Sequence, residues 1–177
     1  EVSLTDLKTE EAQKVIRDMV FVTATDGNHG RGVAWTANRL KQKSVVYMPK
    51  GSAQERLDNI KGLGADASIT EFNYDDAVRL ANKHAQENNW VMVQDTAWEG
   101  YEEIPTWIMQ GYTTMAYEIV QQLHQVKPTH LFLQAGVGAL AGAVTGFIAD
   151  YYKEERPIIT IVEPDKADCI YKTAKAN

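Results

Sequence analysis

Short apolar runs alternate with longer segments of mixed polarity along this chain. Each apolar run has the length of a single strand and is bounded by turn-forming residues. Helical segments separate the runs, and this order is typical of a parallel sheet built from βα units. We therefore predict an α/β fold with parallel twisted sheets and helices on both faces. The six predicted strands lie near Val20–Thr25, Ser44–Met48, Ala67–Thr70, Val91–Gln94, His130–Gln134 and Ile158–Val162.

Turn and capping residues predict where the helices begin and end. One helix is expected over Val33–Leu40, and a second over Ala53–Leu63 with Gly64 after it. Asn73 or Asp75 can cap a third helix that runs to Asn88.

A domain boundary is predicted in Val126-Lys127-Pro128, because Pro128 ends a long helix that begins near Pro105. Residues 1–127 would then be mostly a small α/β domain. Residues 128–177 would begin a larger domain.

A polar, glycine-rich turn follows the first predicted strand. The segment Asp26-Gly27-Asn28-His29-Gly30-Arg31-Gly32 lies between that strand and the next helix. A helix N-terminus presents unpaired N–H groups and favours an anion. The glycine spacing differs from the dinucleotide fingerprint. A simple capped connection between strand and helix is the alternative interpretation.

A second glycine turn follows the fifth predicted strand. It has the sequence Ala135-Gly136-Val137-Gly138-Ala139-Leu140 and leads into another helical segment. Small residues let backbone amides approach a phosphate closely, and the helix dipole adds partial positive charge. We expect the two turns to contribute to one composite site.

Both turns resemble motifs of the fold-type II (tryptophan synthase β-like) pyridoxal-phosphate enzymes. TDGNHGRGVAW resembles their Asn-bearing loop, and AGVGAL resembles their glycine-rich phosphate loop. The family usually has Ser-Gly-Asn-His in the first loop. Asp26 in that place is similar instead to the ammonia-lyases of this family that act on 2,3-diaminopropionate. The stretches YMPKGSAQERLDNIKGLGADA and VQDTAWEGYEEIPTWIMQGY agree with this resemblance.

The resemblance implies a cofactor, pyridoxal 5′-phosphate, and a partial fold-type II architecture. It places Asn28 at the 3′-oxygen of the cofactor. It also implies that the enzyme is a homodimer. The residues that it places around the cofactor phosphate are Gly136, Val137, Gly138, Ala139 and Leu140.

The reaction that the resemblance implies is α,β-elimination of 2,3-diaminopropionate, which gives pyruvate and ammonia. Asp26 is the candidate base for one enantiomer, because its short side chain lies in the cofactor loop. Asp95 ends an apolar strand and is the candidate ligand of the β-ammonium group. An N-cap for the following turn is the other interpretation of Asp95.

Two other functions remain open. A serine or threonine dehydratase, or a cysteine synthase-like enzyme, would use the same cofactor and the same two loops. Asp26 and Asp95 argue against it, because two carboxylates suit a diamine better than a hydroxyamino acid. A binding or assembly module without chemistry of its own is the alternative from another class.

The family's Schiff-base lysine is expected upstream of the Asn loop in a Ser-x-Lys-like context. No match occurs before Val20, and Lys8 and Lys14 lie among charges in a predicted surface helix. The residue that contacts the pyridine nitrogen is also unmatched. We therefore expect a central fragment of a longer enzyme that is inactive by itself.

Composition excludes several classes of protein. A net charge of −6 without basic clusters argues against nucleic-acid partners. No run of about 18 apolar residues occurs, and the first residues do not resemble a secretion signal. A cytoplasmic enzyme acting on a small amino acid is expected, with no membrane partner. The four histidines have no metal-ligand spacing, and the single cysteine, Cys169, has no disulfide partner in this chain.

Overall fold

The computed structural model describes residues 3, 5–16, 18–124 and 126–176. The strands are β1 Val20–Ala24, β2 Lys43–Met48, β3 Asp66–Ile69, β4 Val91–Met92, β5 His130–Gln134 and β6 Ile158–Val162. The helices are α1 Glu10–Ile16, α2 Asn28–Arg39, α3 Gln54–Lys61, α4 Tyr74–Asn88, α5 Glu103–Gln122, α6 Ala139–Tyr152 and α7 Cys169–Ala176. Two short 3-10 turns lie at Asp6–Lys8 and Lys153–Glu155.

All six predicted strands are confirmed, although β4 is two residues shorter than expected. The Val93 amide still donates to Val22 O at 2.8 Å. Beyond it, Gln94 bonds to β1 with its side chain, because its Oε1 accepts from the Ala24 amide. The strand ladder therefore ends where a side-chain amide takes over the pairing.

The first helix after β1 begins earlier than predicted. The expected start at Val33 is wrong, because α2 already includes Asn28. The Arg31 amide donates to Gly27 O at 3.0 Å, so the glycine-rich segment forms the first helical turn. Glycine has low helix propensity, and this local preference misled the prediction. Tertiary contacts override it here.

The other helix ends largely agree with the sequence. Asn73 is confirmed as the cap of α4, since its side chain accepts from the Asp76 amide at 2.9 Å. Helix α3 begins at Gln54 and ends at Lys61, so it is shorter at both ends than the predicted segment Ala53–Leu63. Pro105 lies in the first turn of α5, where a missing N–H group has no consequence.

The first unit is a four-stranded parallel sheet with strand order β3-β2-β1-β4. Val22, Thr23 and Ala24 are all buried in the central strand β1. Because successive side chains point to opposite faces of a sheet, both faces of β1 are covered. Helices α2 and α4 both pack against it. One core cluster of this unit contains Ala34, Val46, Met48, Leu57, Ile60, Ala65 and Ala67.

The second unit contains the parallel pair β5-β6. Burial alternates along β6, and Ile158, Thr160 and Val162 are exposed on one face. Phe132 of β5 pairs with Thr160 and is also exposed. The other face packs into the core of the unit, which contains Ala116, Val120, Leu133, Ala135, Ala141, Val144 and Ile148.

Packing divides the chain into two compact units, Glu1–Gln94 and Asp95–Asn177. This division lies upstream of the boundary predicted at residues 126–128. The reason is that α5 packs extensively against α6 and therefore belongs to the second unit. As a statement about the domains of a whole enzyme, the boundary between 127 and 128 stays a prediction.

Replacing Gly30 with alanine should destabilise the first unit. A Cβ atom added at Gly30 would lie 2.3 Å from Cγ2 of Thr25 and 3.0 Å from Cγ1 of Val46. Thr25 is buried in the turn after β1, and Val46 is buried in β2. Relief of these two close contacts therefore requires movement of α2. We expect the free energy of unfolding to fall by about 1–3 kcal/mol, as for other overpacked cores.

Gly32 provides the matched control, because no described atom lies within 4 Å of a Cβ added there. Gly32→Ala should leave stability unchanged or raise it by up to about 1 kcal/mol through helix propensity. Urea unfolding of both variants measures the difference. Equal stability of the two variants would contradict the close approach of α2 to β1.

Candidate functional site

The turn after β1 is held by a buried threonine. Thr25 is 3% exposed. Its Oγ1 accepts from the Gly27 amide at 3.0 Å and from the Gly30 amide at 3.3 Å. Its own amide donates to Tyr47 O at 3.0 Å. A single hydroxyl therefore satisfies two amides at the N-terminus of α2 and fixes the path of the turn.

Asn28 is the first residue of α2, and its side chain is exposed. It lines an open hollow of about 240 Å³ together with Arg31, Gly32, Trp35 and Leu63. An exposed carboxamide at this point has donor and acceptor groups available to a ligand. The position fits the amide donor that the resemblance assigns to Asn28.

The side chain of Asp26 is 78% exposed and is approached by Arg56 from α3. Nη1 of Arg56 donates to the backbone carbonyl of Asp26 at 2.9 Å. The same nitrogen lies 3.9 Å from Oδ2 of Asp26. The sequence analysis did not identify Arg56, because the two residues are 30 positions apart and no local pattern joins them.

His29 connects the first turn of α2 to the end of β4. Its Nε2 lies 2.8 Å from the carbonyl oxygen of Val93. A carbonyl only accepts hydrogen bonds, so Nε2 carries the proton in this contact. The structure thus gives His29 a bond to the sheet within the first unit.

Gln94 lies two residues after the end of β4 and is completely buried. Its Oε1 accepts from the Thr23 hydroxyl and the Ala24 amide, both at 3.0 Å. Its Nε2 donates to the Tyr74 hydroxyl at 3.0 Å. Both ends of the amide are therefore bonded, as a buried polar group requires. This role could not be predicted from the sequence, since glutamine is usually exposed.

Asp95 follows Gln94 and is half-buried. The charge of Asp95 affects Tyr112 of α5. Burial raises the pKa of the Tyr112 phenol, and the Asp95 carboxylate raises that pKa further. Tyr112 could not be identified from the sequence, because it lies in the middle of a long helix.

The second glycine turn leads directly into α6. Gly138 is the N-cap and has φ 109°, a conformation that favours glycine. The Gly142 amide donates to Gly138 O at 2.8 Å. The amides of Ala139, Leu140 and Ala141 therefore precede this intrahelical bond. No described atom lies within 4 Å of a Cβ added at Gly136, so that side of the turn is open.

These features fit a phosphate group. Glycines and backbone amides lie at the N-terminus of a 14-residue helix, in the segment Gly136, Val137, Gly138, Ala139 and Leu140. Aligned amides and the helix dipole stabilise an anion at such a position. No lysine is required for this contact. That this turn binds the cofactor phosphate stays a prediction.

Glu163 follows β6 and bonds to the start of α7, which contacts this turn. Its carboxylate oxygens accept from the Ile170 amide at 2.9 Å and the Tyr171 amide at 2.8 Å. Ile170 lies against the turn, since a Cβ added at Gly138 would be 2.9 Å from its Cδ1. Sγ of Cys169 donates to Gly136 O at 2.9 Å. The N-terminus of α7 is thus fixed beside the glycine turn.

Asp26 and Asn28 lie in the first unit, and Asp95 and the glycine turn lie in the second. That the parts form one composite site stays a prediction.

Among the residues that the structure describes, no group of three or more His, Cys, Asp or Glu side chains is arranged to hold a metal ion. None of the described helices is long and apolar enough to cross a bilayer.

The parallel sheet, the Asn-bearing turn and the glycine turn before a helix together define a class of protein. A family model described as "Pyridoxal-phosphate dependent enzyme" matches residues 3–177. The chain belongs to this family. Its fold is the fold-type II architecture predicted from the sequence.

Among the members of this family, diaminopropionate ammonia-lyases are similar to this chain in sequence and in structure. The chain is 61% identical over 157 residues to the diaminopropionate ammonia-lyase of Escherichia coli K12, covering 88% of this chain and 39% of that protein. It matches the crystal structure of the E. coli enzyme with an aminoacrylate-PLP azomethine reaction intermediate. That match has a TM-score of 0.88 and 60% identity, over 90% of this chain and 43% of the other.

Threonine dehydratases are more distant relatives. The biosynthetic L-threonine dehydratase of Salmonella typhimurium is 28% identical over 159 residues, which is 88% of this chain and 28% of that protein. The chain thus spans less than half the length of each of these three relatives.

Proposed function

We propose that this chain is part of a pyridoxal-phosphate-dependent ammonia-lyase that converts 2,3-diaminopropionate to pyruvate and ammonia. The observation that carries the proposal is the exposed carboxylate of Asp26 in the turn after the central strand, two residues before Asn28. The similarity to diaminopropionate ammonia-lyases, higher than to the threonine dehydratases, supports it.

The residues present indicate how the cofactor would be held. Backbone amides of Gly136, Val137, Gly138, Ala139 and Leu140 would bind the phosphate at the N-terminus of α6. The side-chain amide of Asn28 would donate to the 3′-oxygen. Bound in this way, pyridoxal phosphate supplies an electron sink for the negative charge that develops at the α-carbon of the substrate.

Asp26 would act as the base for one enantiomer of the substrate. Its carboxylate accepts the α-proton as the Cα–H bond breaks. The bond between the β-carbon and its nitrogen then breaks, and the β-ammonium group takes the bonding electrons and leaves as ammonia. The remaining enamine reacts with water to give pyruvate and a second ammonia. Overall, one diaminopropionate and one water yield one pyruvate and two ammonia molecules.

Asp95 would bind the β-ammonium group and so select for a diamine. A carboxylate and an ammonium group form a charge-assisted hydrogen bond. Half-burial of Asp95 strengthens this interaction relative to one in water. A serine hydroxyl at the same place would bring no positive charge to the carboxylate.

The Schiff-base lysine is proposed to lie in a part of the enzyme outside this chain. Lys8 in the first 3-10 turn and Lys14 in α1 are both exposed. Burial is what usually lowers the pKa of a catalytic lysine. The isolated chain is therefore proposed to be inactive. Homodimer formation and cytoplasmic localisation remain predictions from the sequence.

The first experiment tests the function itself. The complete enzyme and this chain alone are each supplied with pyridoxal phosphate and either enantiomer of 2,3-diaminopropionate. The complete enzyme should show absorbance of bound cofactor and release pyruvate, and the isolated chain should not turn over. Serine and threonine serve as comparison substrates. Greater activity on serine or threonine would identify a dehydratase, and no cofactor absorbance would favour a binding module.

Asp26→Asn in the complete enzyme should selectively reduce the turnover of one enantiomer. Loss of a general base lowers the rate by about 10²–10⁴-fold, and only the enantiomer that uses Asp26 should be affected. Pyruvate release from each enantiomer measures the ratio. Asp75→Asn is the control, because Asp75 is an exposed carboxylate in the first turn of α4. Equal losses on both enantiomers would rule out this role.

Asp95→Ala should reduce the preference for diaminopropionate over serine. A charge-assisted hydrogen bond contributes about 1.5–3 kcal/mol, so the ratio of kcat/KM should fall by about 10-fold to 10²-fold. Asp95→Asn separates the two interpretations of this residue, because asparagine caps a turn equally well but carries no charge. Selectivity retained in Asp95→Asn, or parallel losses on both substrates, would show a structural role.

A further inference from the structure

Arg56 reaches from the first turn of α3 to the turn after β1. Its Nη1 donates to Asp26 O at 2.9 Å and lies 3.9 Å from Oδ2 of the same residue. A Cβ added at Gly27 would lie 3.2 Å from Cδ of Arg56. The missing side chain at position 27 therefore leaves room for the arginine to cross the turn.

We propose that Arg56 is a positioning residue for the base Asp26. This inference rests on the proposed function. Arg56 holds the backbone carbonyl of Asp26 and places a permanent positive charge beside its carboxylate. Both contacts come from one side chain, and both act on the residue that would accept the α-proton.

The chemistry of arginine suits this task. Its guanidinium group has several N–H donors in a fixed plane and stays charged at any working pH. It can therefore hold a carbonyl and attract a carboxylate without exchanging a proton. In the proton transfer, the Cα–H bond breaks and the proton goes to Asp26. Arg56 gains and loses nothing in that step.

The need for such a residue follows from the exposure of Asp26. Its side chain is 78% exposed, so packing does not restrict its rotamers. The other contacts of this turn, from Thr25, hold the amides of Gly27 and Gly30. Arg56 is the described side chain that bonds to the backbone of Asp26 and faces its carboxylate. Orientation of a reacting group is worth large factors in rate, and small displacements are correspondingly costly.

The test uses the complete enzyme and both enantiomers of 2,3-diaminopropionate. The variants are Arg56→Gln, Arg56→Lys, Asp26→Asn and the double variant Asp26→Asn with Arg56→Gln. Arg79→Gln is the matched control, since Arg79 is exposed on α4 and pairs with Asp76 outside the site. Steady-state kcat and KM are measured from pyruvate release, and thermal unfolding shows that each variant is folded.

Arg56→Gln should lower kcat by about 10-fold to 10²-fold for the enantiomer that requires Asp26, with little change in KM. The other enantiomer should be unaffected. Arg56→Lys should recover part of the loss, because lysine restores the charge but not the fork of donors. In the Asp26→Asn background, Arg56→Gln should have no further effect. Arg79→Gln should behave as the unmodified enzyme does.

Equal losses on both enantiomers, unchanged kcat, or full additivity with Asp26→Asn would each overturn the role of Arg56. The lyase assignment would stand in those cases, because the unmodified enzyme would still release pyruvate. If the unmodified enzyme releases no pyruvate from either enantiomer, the proposed function fails, and the inference about Arg56 fails with it.

Discussion

The buried amide of Gln94 is the interaction on which the edge of the first sheet depends. β4 pairs with β1 over only two residues, Phe21 with Val91 and Val22 with Met92. Beyond that point Gln94 bonds to Thr23, Ala24 and Tyr74 through its side chain. Each of these polar groups would be costly to leave unpaired in the interior. The amide thus extends the pairing to the end of the central strand, where the Asn-bearing turn begins.

A side chain accepts from backbone amides in the first candidate ligand turn, and another does so at the start of α7, which contacts the second turn. Thr25 accepts from Gly27 and Gly30 in the first unit, and Glu163 accepts from Ile170 and Tyr171 in the second. A helix leaves several N–H groups without intrahelical partners, and each needs an acceptor. Protein groups satisfy some of these amides. The amides at the start of α6 precede the first intrahelical bond, and an anion is the partner that we propose for them.

The strands and the two ligand turns could be predicted from the sequence because their signals are local. An apolar run of four to six residues and a cluster of glycines are visible without knowledge of the fold. Gln94, Arg56 and Tyr112 could not be found in this way. Gln94 bonds to a residue 71 positions away, and Arg56 to one 30 positions away. The start of α2 was misplaced because glycine propensity was weighed without the tertiary contacts that hold the turn.

The fold alone does not decide between an ammonia-lyase and a dehydratase, since both belong to one architecture and function depends on the site. Charge is the physical difference between their substrates. Diaminopropionate brings a second ammonium group, whereas serine and threonine bring a hydroxyl. The pKa of the Tyr112 phenol is raised mainly by burial and further by the charge of Asp95. The surroundings of Asp95 are therefore partly shielded from water. In such surroundings a carboxylate interacts far more strongly with an ammonium group than with a hydroxyl, and this difference is the physical basis of the selectivity proposed for Asp95.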